Sequence, residues 1–206
     1  MNIHLLAILV LIALLPVSCK KGEAPEKQSV QNVNPWTTES VYNEVEQKLK
    51  EKPDDPDLWY HLADLQERDG QYKEAIESYK KAVQLKPDMG YAYFKIGTAY
   101  NHLDQPADAV AAFKKAIRYM PNFAVAYNNL AVAYAKLGKK TEEIRALKKA
   151  IRLRPDYATA RFNLAVAYLK AGDKKAAMAE YRSLKKIDEG IADDLMKEIK
   201  KGEGGS

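Results

Sequence analysis

Apolar residues recur at i, i+3, i+4 and i+7 along this chain, as in Tyr93, Ile96, Gly97 and Tyr100, and again in Tyr127, Leu130, Ala131 and Tyr134. That spacing paints one stripe of an α-helix. The sets Ala75, Tyr79, Ala82 and Ala109, Phe113, Ala116 step by i, i+4 and i+7 and predict a second amphipathic helix after the first. Gly70, Asp104, Gly138 and Gly172 fall between the two and suit a tight turn. Pro87, Pro121 and Pro155 close the unit, since proline lacks the amide donor and clashes with the preceding helical turn.

The arrangement returns every 34 residues from Pro56 to Glu189. Trp59, Tyr93, Tyr127 and Arg161 share one place in it, Leu62, Ile96, Leu130 and Leu164 a second, and Ala63, Gly97, Ala131 and Ala165 a third. A lone pair of helices leaves an apolar face open, so the units must stack. The predicted class is all-α, an α-solenoid of helix-turn-helix repeats. Small residues at the third place let helix backbones approach, and large aromatics fill the space beside them.

These residues resemble the tetratricopeptide repeat, whose unit carries Trp, Leu, Gly or Ala, Tyr, Ala, an aromatic, Ala and Pro at these offsets. The resemblance implies four repeats, at 56–89, 90–123, 124–157 and 158–189. The chain departs from the pattern at Arg161, at Glu143 in place of the inner alanine, and at Leu184 and Glu189, the last two as expected of an end unit.

Upstream, Val41, Val45 and Leu49 form an apolar stripe, and residues 38–55 read as an N-terminal capping half-repeat. Downstream, Ile191, Leu195 and Ile199 oppose a charged face, so 190–201 reads as a C-terminal capping helix. The tail 202–206 is too rich in glycine to order. Residues 1–18 read as a signal peptide: Leu5 to Leu15 are eleven consecutive apolar residues, short of the roughly 20 that span a bilayer. Leu15 to Cys19 resembles a bacterial lipobox, which implies lipidation of Cys19, the single cysteine of the chain. An uncleaved anchor or an ordinary secretory signal is the alternative. Residues 19–37 then form a disordered tether, and Lys20 after the cysteine points to the outer membrane facing the periplasm.

The chain holds 33 Lys plus Arg against 28 Asp plus Glu. Much of the excess is periodic, at Lys80 and Lys81, Lys114 and Lys115, and Lys148 and Lys149. Cations near a helix C-terminus favour its dipole and solvate the outer face; attraction to anionic headgroups or wall polymer is the alternative. An exported chain does not meet nucleic acid, and the basic residues lack the aromatic interleaving of a nucleic-acid surface. His4, His61 and His102 form no cluster of metal-ligand spacing, and no phosphate-binding glycine loop occurs. No enzyme activity, metal or cofactor is expected.

A second stripe on the first helices runs through Tyr60 and Asp64, Phe94 and Thr98, Asn128 and Val132, and Phe162 and Val166. The resemblance implies that stacking aligns these into a concave groove for an extended peptide or a helix. Arg68, Asn101, His102, Lys136 and Lys170 would be polar fixings, with Asn129 and Asn163 where many such repeats place an asparagine that bonds a ligand backbone. The aromatics serve either as partner anchors or as packing between neighbouring first helices. The expected role is a membrane-anchored scaffold binding a peptide or protein in a bacterial envelope complex. Self-association into a homo-oligomer is the alternative.

Overall fold

The computed structural model describes residues 38–201. The leader, Cys19 and the tether through residue 37, and the tail from 202, lie outside the described residues. Ten helices and no strands occur among those described: α1 (Thr38–Glu51), α2 (Pro56–Arg68), α3 (Tyr72–Leu85), α4 (Gly90–His102), α5 (Pro106–Tyr119), α6 (Ala124–Lys136), α7 (Lys140–Leu153), α8 (Ala158–Lys170), α9 (Lys174–Leu184) and α10 (Glu189–Lys201). Each packs on its chain neighbours, and α10 rests on both α8 and α9. The result is the predicted solenoid.

Local chemistry explains the boundaries. Asp55 caps α2, its Oδ1 accepting from the amides of Asp57 at 3.0 Å and Leu58 at 3.3 Å, and Pro56 follows where no amide donor is needed. The hairpin turns use a left-handed residue at Gly70 (φ 75°), Gly138 (φ 69°) and Gly172 (φ 81°), and at Asp104 (φ 53°) in the second unit.

Within each hairpin a small residue faces a large one. Ala63 and Gly97 are buried on first helices, and Tyr79 and Phe113 are wholly buried on second helices. At Gly97 the fit is closest, for a Cβ there would stand 2.6 Å from Phe113 Cε1. Burying each such ring stabilises the fold by roughly 2–3 kcal/mol. At the ends, Leu49 is buried on α1, while Leu195 and Ile199 of α10 pack with Leu184 in one cluster. The leucine that replaces the last alanine therefore fills the space under α10.

Arg161 also has a structural reason. Trp59 Nε1 donates to the Pro53 carbonyl at 2.7 Å, and Arg161 Nε donates to the Pro155 carbonyl at 2.9 Å. Both side chains serve as donors that close the preceding loop. Arg161 adds an ion pair to Glu180 of α9 at 2.8 Å.

The lysine pairs correct an expectation. They lie before the last turn of their helices, which in α3 carries no basic residue. Instead they cross tyrosine rings at a regular interval: Lys80 over Tyr100, Lys114 over Tyr134 and Lys148 over Tyr168, at 5.6–5.9 Å from the ring centres. Lys115 and Lys149 cover Tyr93 and Tyr127 at 5.3 and 5.9 Å. The pairs Lys114/Lys115 and Lys148/Lys149 thus clamp the first helix of their own unit and that of the next, while Lys80 reaches only the next, a cation–π role.

Candidate functional site: the wall of first helices

The first helices α2, α4, α6 and α8 bring the second stripe together, and polar bridges join each to the next. Between α2 and α4, Lys95 Nζ reaches Glu67 Oε2 at 2.7 Å and Asp64 Oδ1 at 3.2 Å. Between α4 and α6, Lys136 Nζ donates to the Asn101 carbonyl at 3.2 Å and to Asp104 Oδ1 at 2.8 Å. Between α6 and α8, Asn163 Nδ2 donates to Asn128 Oδ1 at 2.9 Å, and Asn128 Nδ2 donates to Asn129 Oδ1 at 3.2 Å. Side chains expected as fixings for a guest therefore also hold the wall in register.

Several expected positions are committed to packing. Phe94 is only 8% exposed and sits among Tyr91 of its own helix, Phe113 of α5 and Phe123 just before α6, with ring centres 4.9–5.9 Å away. Asn128 is 5% exposed. Thr98 returns its hydroxyl to its own helix, to the carbonyls of Phe94 and Lys95. Tyr60 is half-buried against Tyr79, and burial pushes its hydroxyl up to about 12. His102 stacks on Tyr72 with ring centres 4.4 Å apart. Arg68 is exposed and pairs with Asp64 within α2 at 2.9 Å.

The open part of the wall lies between α6 and α8. Val132 is 37% exposed, Phe162, Asn163 and Val166 are half-buried, and Lys170 is exposed. These line a cavity of about 130 Å³ whose floor includes Glu143.

Lys95, Glu67 and Glu143 were not among the candidates. Burial opposes the charge of Lys95, but the hydrogen bond and charge of Glu67, then those of Asp64, outweigh it and raise the ammonium above its ordinary value. Tyr79 also donates to Glu67 Oε2 at 3.0 Å. Burial raises the Glu143 carboxyl, against the more distant charges of Lys170 and Lys140. An aligned repeat holds one available signal: Glu143 occupies a place filled by Ala75, Ala109 and Ala177 elsewhere.

A row of stacked helix pairs joined by their own polar bridges defines the class: a helical-repeat protein. The sequence matches the family descriptions "TPR repeat" over residues 69–104 and "Tetratricopeptide repeat" over 94–156 and 144–190. The chain belongs to the tetratricopeptide repeat family. No curated protein matches its sequence. Its fold is similar to the crystal structure of MamA, at 26% identity and a TM-score of 0.72, over 76% of this chain and 91% of that one. It is also similar to a thermophilic TPR protein of Thermus thermophilus, at 27% identity and a TM-score of 0.59, over 80% and 90%. YrrB, described as a TPR protein with an unusual peptide-binding site, shares the fold at 20% identity and a TM-score of 0.69, over 78% and 84%.

Proposed function

We propose that this chain is a lipid-anchored scaffold of the bacterial envelope that holds a protein or peptide on the wall of α2, α4, α6 and α8. The observation that carries this reading is the wall itself. Its helices are bridged by their own polar groups, while Val132 stays open beside the cavity between α6 and α8. A preorganised surface with an exposed apolar contact loses little entropy when a partner docks. Family membership supports the same role. The leader ending at Cys19 supports export and acylation, and the tether would keep the repeats near the membrane.

A photo-crosslinking residue at Val132, in the full chain in native envelopes, tests the wall. The reading predicts a discrete adduct from Val132 and none from Tyr119 on α5, which is also exposed. Adducts from Tyr119 alone would contradict it. The mature protein's mass tests the anchor: lipid on Cys19 supports it, and an unmodified Cys19 or a retained Met1 to Ser18 contradicts it.

Self-association is the second reading, favoured by the exposure of Tyr91 at 48%. Light scattering of the purified chain separates them. A stable oligomer whose Val132 adduct is a second copy of this chain favours self-assembly.

A further inference from the structure

In α3, α5 and α9 the inner position of the second helix is Ala75, Ala109 or Ala177, each with no exposure. In α7 the same position is Glu143. Its side chain lines the cavity between α6 and α8. Glu143 remains 8% exposed and forms no hydrogen bond or ion pair among the described residues. Neither carboxylate oxygen is sealed from solvent, yet partial burial without a partner disfavours the charge. Lys170, at the rim of the same cavity, and Lys140 act on it only from beyond ion-pair distance.

The surroundings say what would complete it. Val132, Phe162 and Val166 offer apolar sides. Asn163 spends its Nδ2 on Asn128, which leaves its Oδ1 as a second acceptor. The cavity of about 130 Å³ has room for roughly four waters by volume, about the size of an aliphatic stem with an ammonium head. A lysine pairs an apolar stem with a compact cation of three donors, which fits a carboxylate and an amide oxygen at the end of an apolar slot.

We propose that the gap between α6 and α8 is a subsite that receives a lysine side chain of the bound polypeptide, with its stem between Val132, Phe162 and Val166 and its ammonium on Glu143 and Asn163. This rests on the reading of the wall as a polypeptide-binding surface. The guest ammonium takes the place that Lys170 occupies only at a distance.

The test is an NMR titration of the full chain with acetyl-Ala-Ala-Xaa-Ala-Ala-amide peptides in which Xaa is Lys, Gln, Leu or Glu. The readouts are the Asn163 side-chain amide and the methyl signals of Val132 and Val166. The lysine peptide should shift these signals with at least tenfold higher affinity than the others. Glu143→Ala should erase that preference while raising Tm, since alanine is the residue the other repeats carry there. Glu143→Gln, which keeps the volume, should erase it too, and Lys170→Met should strengthen lysine binding. Equal response to lysine and leucine peptides, or a lysine preference that survives Glu143→Ala, would overturn the subsite. If Val132 still crosslinks to a partner in that case, the wall reading stands without it. If Val132 gives no adduct either, both fail.

Discussion

Glu67, on the wall, and Glu143, on α7 behind it, are two carboxylates in opposite circumstances. The Glu67 side chain, 15% exposed, accepts from Lys95 at 2.7 Å and from Tyr79 at 3.0 Å, and so ties α2 to α4 and to α3. Glu143, 8% exposed, has neither kind of partner. The step from α2 to α4 is sealed by charge. The step from α6 to α8 is closed by a neutral amide pair, Asn163 on Asn128, and leaves an acid uncovered beneath it. Burial alone does not make a polar residue structural; the count of its partners does.

The largest expected break of this contrast is Glu67→Ala. It strips Lys95 of its nearer partner and Tyr79 of its acceptor, and should lower stability by about 2–3 kcal/mol in urea denaturation. Gly97→Ala comes next, at about 1–2 kcal/mol by the same measurement, because its Cβ would press on Phe113 Cε1 and Cδ1 at 2.6 and 2.7 Å. Arg161→Leu removes both the loop hydrogen bond and the partly buried pair with Glu180; about 1 kcal/mol is expected. Lys114→Ala, which removes an exposed ammonium from the ring of the largely buried Tyr134, should cost only about 0.5 kcal/mol.

The pH dependence sharpens the contrast. Burial holds the Glu143 carboxyl above its ordinary 4.5 in the folded chain. As pH rises through 4.5 the unfolded chain gives up this proton first, so the residue's destabilising effect is absent in acid and grows toward neutrality. The stability difference between Glu143→Gln and the parent chain should therefore widen in favour of the variant from about pH 4 to 7. A difference that narrows over that range would contradict the burial assigned to this group.

The fold was legible because helix packing is periodic. Trp59, Tyr93 and Tyr127 mark one face in register, and the turn positions around Gly70 and Gly138 follow at fixed distance. The wall was only half legible, because a helical stripe gives an angle on one helix and says nothing of what lies across the gap. Phe94 and Val132 both belonged to the expected contact stripe, yet Phe123 reaches over Phe94 and nothing similar covers Val132. Lys95 and Glu67 are 28 residues apart, a spacing with no local meaning until stacking brings α2 and α4 together. Arg161 looked like a lapse from the aromatic pattern, because its shared feature with Trp59 is a donor nitrogen rather than a ring.

The most direct measurement places Glu67→Ala and Glu143→Ala beside the parent chain in one urea-denaturation series at pH 7. Opposite shifts are predicted, a lower midpoint for Glu67→Ala and a higher one for Glu143→Ala. If both substitutions lower the midpoint, Glu143 contributes to holding the fold, and the account of an open acceptor behind the wall is wrong.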